Sequence, residues 1–450
     1  MNLLVYNLLL LLLSPPLLLF LLWRLANGKE DLAHWGERWG AFPLDVAQSR
    51  GASPRFWVHA VSVGEVMAAA PVLRELRQRF PDALIVLSTT TIGGREVAQK
   101  QPPADEVLYY PLDFPLVIDR ALRTVRPDVV LLMEWEIWPN FLTRAKRQGA
   151  KIAVLNGRIS DRGLRRGQSR FAAFFTAPGL ASVDRFAMQS EEDSRRAALV
   201  GADPARIETL GNTKFDESMT PLTSADRDAL RADLGIPPGV PVWVCGSTRE
   251  GEEALIAEAA QKIWQRVPNL FLIVAPRHLT RADDAAAALE TTGRGVRRRS
   301  TTASPPLVPR LPGSPDPPRR GARRGDVLLL DTFGELARVY AVADAAFVGG
   351  SLLPFGGQSV FQPLAQGVPA LFGPYMNNQR DIAALAKAEG AGFEVADTAQ
   401  LAAEVTRLVS RSEEEKAEMS RRARALIERN QGVAVRCVDR VATLLRERTP

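Results

Sequence analysis

The chain reads as an α/β protein of two Rossmann-like parallel-sheet domains behind an N-terminal apolar helix. Three observations predict it. Short apolar runs alternate with amphipathic stretches of helical length. The apolar runs end in polar or glycine-bearing clusters. The pattern restarts after a break between residues 217 and 240, a stretch that includes Gly235-Ile-Pro-Pro-Gly239. Strands alternating with helices argue for parallel sheets, and ligands in such sheets sit beyond the carboxyl ends of the strands.

Composition narrows the classes. At 450 residues there is room for two domains with additions, and 46% hydrophobic residues make the chain globular rather than disordered. The net charge of +6 is unevenly spread, with Arg297–Arg299 and Arg319–Arg324 inside a Pro-rich stretch. No aromatic residue is interleaved there, which argues against a nucleic-acid partner and leaves an anionic membrane as the milder inference. Cys245 and Cys437 offer no disulfide framework, and His34, His59 and His278 are scattered, so no metal site is expected.

Leu3 to Trp23 is apolar over a length that suffices to span a bilayer. Its flanks lack the marks of a signal peptide. Pro15-Pro16 should kink or break a helix there, which leaves a shallow or re-entrant anchor open. Arg24 and Lys29 follow and favour a cytoplasmic location for the rest. Strands are expected over 56–61, 83–87, 129–133, 151–155 and 183–188, with a helix over 66–80. They end in Ser62-Val-Gly-Glu65, Ser88-Thr-Thr-Thr91, Glu134-Trp-Glu136, Asn156-Gly-Arg158 and Gln189-Ser190. A turn-like stretch, Leu210-Gly-Asn-Thr-Lys-Phe-Asp216, follows, and then a helix over 226–234.

The second half repeats the design. Strands over 242–245, 270–274, 327–330, 345–348 and 370–372 run into Gly246-Ser-Thr-Arg-Glu250, Pro276-Arg-His278, Asp331-Thr-Phe-Gly-Glu335, the loop Gly349–Gly357 and Gly373-Pro-Tyr-Met-Asn-Asn378. The loop Gly349–Gly357 carries two glycine pairs before a short helix expected over 362–366. It reads as an anion cradle or as a tight turn needing positive φ. Residues 294–326, rich in Pro, Ser and Arg, are expected to be a disordered insertion. A charged helical tail runs from 413 to 446. The expected layout is an anchor over 1–24, a first domain over 25–225, a second over 226–425, and a C-terminal helix over 426–450. Polar loops facing each other across a cleft suit a nucleotide-sugar transferase, an epimerase or a ligand-binding protein.

Several residues carry the candidate chemistry. Glu65, at a strand-to-helix junction, suits a general base or a helix-start charge. Glu134 and Glu136 alternate and should point the same way, either into a site or into solvent. Arg277 suits a phosphate or carboxylate, or a surface ion pair. Lys214 can neutralise a leaving phosphate or be a solvated loop lysine. Gly334-Glu335 opens a helix and can receive a nucleotide or be an ordinary turn.

The ordered series His59-Ala-Val-Ser-Val-Gly-Glu65, Glu134-Trp-Glu-Ile-Trp-Pro-Asn140, Asn156-Gly-Arg-Ile-Ser160, Gly211-Asn-Thr-Lys-Phe-Asp216, Pro276-Arg-His278, Asp331-Thr-Phe-Gly-Glu-Leu336 and Phe347-Val-Gly-Gly-Ser-Leu352 resembles the motifs of Kdo (3-deoxy-D-manno-octulosonic acid) transferases. The likeness extends to the anchor and to Gly36-Glu-Arg-Trp-Gly40, leaving out roughly 300–325. The resemblance implies a GT-B fold and a metal-independent, inverting transfer from CMP-Kdo to a lipid A precursor, with no cofactor. The place would be the cytoplasmic face of a bacterial inner membrane, in lipopolysaccharide synthesis. It casts Glu65 as base and Glu136, with Glu134 as the lesser alternative, and Lys214 as transition-state stabilisers. Ser62, Gly64, Glu134 and Arg158 fall on the acceptor side. Pro276, Arg277, Phe333, Gly334, Glu335, Ser359, Val360, Phe361 and Gln362 fall on the CMP side.

The departures cluster on the donor side. The family pattern Gly-Gly-His-Asn-x-Leu-Glu-Pro becomes Gly356-Gly-Gln-Ser-Val-Phe-Gln-Pro363, and Arg249 stands where the family tends to carry His. Gln362 keeps one acceptor oxygen of the family's Glu and loses its charge. Two rival expectations follow: a transferase with a changed donor, and a non-catalytic relative that binds lipid or nucleotide.

Overall fold

The computed structural model describes residues 2–28, 30–43, 53–100, 103–217, 221–302 and 327–447. The chain divides into two compact units, Met1–Ser218 with Asn430–Pro450, and Met219–Arg429. The division falls a few residues before the expected boundary at 225.

The first unit is built on β1 (Arg55–His59), β2 (Leu84–Thr89), β3 (Glu106–Tyr109), β4 (Val129–Met133), β5 (Lys151–Gly157), β6 (Arg185–Met188) and β7 (Ile207–Thr209). They form one sheet in the order β3-β2-β1-β4-β5-β6-β7. All of its pairings are parallel. Helices cover both faces, so the central strands β1 and β4 are buried end to end, β4 as a continuous apolar run and β1 as one between Arg55 and His59. Trp57, Val130, Phe141 and Phe186 fill one face. On the other, Phe56, Val58, Ile85 and Leu131 pack with Val433, Cys437 and Val441 of the last helix.

The second unit holds β8 (Val242–Thr248), β9 (Phe271–Pro276), β10 (Val296–Arg298), β11 (Val327–Leu329), β12 (Ala345–Val348), β13 (Ala370–Phe372) and β14 (Gly392–Glu394). Their order is β10-β11-β9-β8-β12-β13-β14, again with parallel pairings. The strand order reverses between β1 and β4 in the first sheet and between β8 and β12 at the centre of the second, where β10 also lies outside β11 at the edge. These reversals open the crevices where a parallel sheet accepts ligands.

Three expectations are corrected. The start of the presumed insertion is ordered. Val296–Arg298 pairs with β11, and the buried Arg299 binds Asp233 at 2.6 Å and Glu335 at 3.0 Å. The remainder of that segment, 303–326, lies outside the described residues. The tail is two helices, Glu413–Arg429 and Val433–Arg446, one in each unit, parted at Gly432 with φ of 80°. The N-terminal helix, Asn2–Ala26, runs unbroken through Pro15-Pro16. Pro15 removes the N–H that would bond the Leu11 carbonyl, and Ser14 Oγ donates to that carbonyl at 2.7 Å.

Candidate active site

Glu65 sits in the first turn of the helix Val63–Arg79, directly after β1. Its Oε2 accepts from Val61 N–H at 2.8 Å and its Oε1 from Ser62 Oγ at 3.2 Å. Burial pushes its carboxyl up to about 7; nearby Glu134 and Glu136 add to this, and the Val61 and Ser62 hydrogen bonds oppose it. It therefore pins the turn ahead of its helix, and its raised pKa falls where a general base is most effective.

Glu134 and Glu136 follow β4, the strand on the far side of the same strand-order reversal. Glu134 adopts φ of 59° and its N–H donates to Leu155 O at 3.0 Å. Glu136 accepts from the Trp138 indole at 2.9 Å. Burial lifts Glu136 to about 7 against that hydrogen bond, and Glu134 lifts it further. Three carboxylates thus converge on one crevice. Like charges held together disfavour full ionisation, so the cluster favours taking up a proton or a cation-like reacting carbon.

The Lys214 loop is fastened to the same place. Thr213 N–H donates to Asn156 Oδ1 at 3.0 Å, and Thr213 Oγ1 donates to Ala68 O, one turn beyond Glu65, at 2.8 Å. Asn212 Oδ1 accepts from Lys214 N–H at 3.0 Å. Burial raises the carboxyl of Glu217, and Lys214 offsets part of that rise. Arg158 follows β5, two residues beyond Asn156, and is half-buried. Ser62 and Gly64 lie in the Glu65 turn itself. The sequence did not mark Asn156 and Gln189 as a linked pair; Gln189 Nε2 donates to Asn156 O at 3.0 Å and joins the ends of β5 and β6. His59, by contrast, is a core residue. It is fully buried and held neutral well below its ordinary pKa by burial, with Nδ1 against Ser88.

In the second unit the reversal lies between β8 and β12, where the loop Gly349–Gly357 begins. Its first N–H groups are already occupied. Glu252, fully buried, accepts from Gly350 N–H at 2.5 Å, Ser351 N–H at 2.9 Å, Leu352 N–H at 3.0 Å and Arg249 N–H at 2.9 Å. The cradle for an anion is thus filled by the protein's own carboxylate. The sequence signal was Gly251-Glu-Glu253, an acid at a helix start, which reads as an ordinary first-turn charge. The tight-turn reading also holds: Gly356 and Gly357 have φ of 90° and 77°, and a Cβ on either would strike Asn378 or Met376.

Of the expected CMP residues, Pro276 ends β9 and Arg277 is exposed just beyond it, its N–H bonded to Thr248 O at 2.9 Å. Arg249 stacks over Phe355 at 4.7 Å and reaches His278 Nε2 at 3.0 Å. Phe333 is 90% exposed and Gly334 has φ of 90°. Glu335 is bonded to Arg299 and Thr332. Partial burial pushes its carboxyl up, but these partners outweigh that and hold it below the usual range. Val360 and Phe361 are buried, so only their backbone can face a ligand, whereas Ser359 and Gln362 are half-buried.

Fold and site together define a class. Each unit is a Rossmann-type sheet with its polar residues at the strand-order reversal, which is the GT-B architecture of nucleotide-sugar enzymes. Solved structures agree at the level of fold. UDP-GlcNAc 2-epimerase from Neisseria meningitidis gives a TM-score of 0.58 at 13% identity, covering 87% of this chain and 100% of that one. A glycosyltransferase from Rickettsia africae gives 0.58 at 11% identity, covering 88% and 100%.

Sequence comparison is more specific. Residues 33–217 match the family model described as 3-deoxy-D-manno-octulosonic-acid transferase (kdotransferase). The 3-deoxy-D-manno-octulosonic acid transferase of Bordetella pertussis is 33% identical over 440 residues, 94% of this chain and 95% of the relative. A probable mitochondrial counterpart from Arabidopsis thaliana is 30% identical over 368 residues, 81% of this chain and 78% of the relative. The chain belongs to the Kdo transferase family and is a glycosyltransferase.

Proposed function

We propose that this protein transfers Kdo from CMP-Kdo to a lipid A precursor at the cytoplasmic face of a bacterial inner membrane, inverting the anomeric centre without a metal. Glu65 takes the proton of the acceptor hydroxyl as its oxygen bonds the anomeric carbon. The bond from that carbon to the CMP phosphate oxygen breaks, and CMP leaves with the electron pair. The anomeric carbon passes through an oxocarbenium-like state, which the Glu136 carboxylate favours. Lys214 and Arg277 offset charge on the departing phosphate.

The observation that carries this reading is the Glu65, Glu134 and Glu136 cluster at the β1/β4 reversal, with Glu65 raised to about 7. Family membership supports the sugar. The donor-side departures at Gln358, Ser359 and Gln362 favour one alternative, a changed sugar nucleotide. Purified protein supplied with CMP-Kdo and a tetraacyl lipid A precursor tests both. A Kdo-bearing lipid product is expected. No product with CMP-Kdo, but turnover of another sugar nucleotide, would replace this reading with the alternative; turnover of neither would favour a non-catalytic role.

A further inference from the structure

The N-terminal helix Asn2–Ala26 is long enough and apolar enough to cross a bilayer. Its contacts within the first unit do not allow a crossing. At its start, Asn2 Nδ2 donates to Phe174 O at 2.9 Å and Tyr6 OH donates to the buried Asp113 Oδ2 at 2.9 Å. Asn140 Nδ2 donates to Asn7 Oδ1 at 2.6 Å. At its end, Arg24 pairs with Glu30 at 2.8 Å. Glu30 in turn pairs with Arg38, which donates to Thr90 O. Both ends of a helix roughly 37 Å long are therefore fastened to one compact unit.

The exposure pattern says the same between the ends. Tyr6, Leu10, Ser14, Leu17, Leu21 and Arg24 are buried or half-buried, at helical spacing, so one face is applied to the protein along its length. The opposite face carries Leu4, Leu8, Leu12, Leu19 and Trp23, all exposed, with Leu12 at 72%. The helix Arg170–Ser182 lies beside it. Tyr6 and Phe175 approach at 6.1 Å between ring centroids, and Phe171 of that helix is 71% exposed. Immediately ahead of Phe171 stand Arg162, Arg165, Arg166 and Arg170, all exposed and in no ion pair among the described residues. An apolar strip bordered by unpaired arginines matches an anionic lipid surface: acyl chains for the strip and headgroup phosphates for the arginines.

We propose that this helix does not cross the bilayer but lies in its surface plane, with the Leu4-to-Trp23 face in the headgroup and acyl boundary and Arg162–Arg170 on anionic headgroups. This rests on the membrane placement under Proposed function and fixes its geometry. The first unit would then ride on the membrane, with Glu65 and the β1/β4 crevice on the same unit as the lipid contact.

The test uses the full chain reconstituted in phosphatidylcholine vesicles with and without phosphatidylglycerol, tagged ahead of Met1 and after Pro450. A membrane-impermeant reagent labels the tags without detergent. The expected result is that molecules labelled at one end are labelled at the other. Labelling of only one end per molecule means a crossing and overturns the proposal. Independently, the combined R162Q, R165Q, R166Q and R170Q variant should lose about tenfold or more in affinity for phosphatidylglycerol vesicles and keep its affinity for neutral ones. Unchanged affinity for both overturns the headgroup contact. Failure of the unmodified chain to bind either vesicle overturns the membrane placement itself, and transfer to detergent-solubilised acceptor then reports separately on the activity.

Discussion

Replacing Glu252 with glutamine isolates what holds the glycine loop of the second unit. The carboxylate accepts four backbone N–H groups, two on each oxygen: Ser351 and Leu352 on Oε1, Gly350 and Arg249 on Oε2. Glutamine keeps one acceptor oxygen and turns an NH2 group toward two of those donors. Two charge-assisted bonds are lost, each about 1.5–3 kcal/mol, so the second unit should lose about 3–6 kcal/mol. For a unit of this size that lowers its melting temperature by roughly 6–24 °C. Calorimetry should show the transition of the second unit moving while that of the first stays, and CMP should bind more weakly because the loop is no longer held. Two results refute the reasoning. A melting temperature changed by less than about 2 °C would mean the N–H groups find other partners. Tighter CMP binding would mean they belong to the ligand, with Glu252 a competitor that glutamine weakens.

Three further outcomes are expected. Glu65→Gln should retain CMP binding and lose about 10²–10⁴-fold in turnover; wild-type turnover rules out the base assignment. Because the ionised form of Glu65 is the active base, kcat/KM should rise with pH up to about 7 and level off above it, and the variant should lack that limb. In stability the sign is opposite: the folded state binds the Glu65 proton more tightly than the unfolded chain, so stability falls as pH rises from the ordinary carboxylate range through about 7. Glu65→Gln should therefore be more stable than wild type at pH 8, by about 2 kcal/mol after allowance for partial exposure, and a melting curve showing a loss would contradict the burial account. Finally, Gln362→Glu should tighten CMP binding by about tenfold or more in calorimetric titration, and no change would remove Gln362 from the donor side.

The sequence was most legible where the sheets are most buried. Ten strands were expected, and the four missed are β3, β7, β10 and β14. These are the two edges of each sheet. An edge strand has one neighbour and partial cover, so Glu106-Val-Leu-Tyr109, Ile207-Glu-Thr209, Val296-Arg-Arg298 and Gly392-Phe-Glu394 need no continuous apolar run. Edge pairing also overrode composition at 296–302, where arginines that read as disorder are committed: Arg298 to Asp283, and Arg299 to Asp233 and Glu335. The carboxylate cluster was legible because each acid directly follows a strong central strand. Glu252 was not, because three of its four partners lie about a hundred residues away and its local setting is an ordinary helix start. Nor was the course of the N-terminal helix, since periodicity is invisible in a run of leucines until Tyr6 and Asn7 are seen to meet Asp113 and Asn140.

The filled cradle bears on how the second unit meets a phosphate. Had Gly350, Ser351 and Leu352 offered free N–H groups, they would be the natural seat for the donor's anion. With Glu252 there, a second negative charge at the same spot is repelled, and the positive charge must come from side chains. Arg277 and Arg249 stand at the ends of β9 and β8 beside His278, whose pKa is lowered first by partial burial and then by Arg249, Arg277 and Arg281. Arg281 is committed to Glu253 at 3.2 Å, whereas no ion pair among the described residues engages Arg249 or Arg277. Under the proposed function these two arginines are the anion-binding candidates of this unit, and the glycine loop fixes the chain that carries Gln358, Ser359 and Gln362. If charge comes from the arginines and shape from the loop, substitutions in the loop should alter which nucleotide fits without removing phosphate binding, and loss of phosphate binding in a loop variant with Arg249 and Arg277 intact would refute that division.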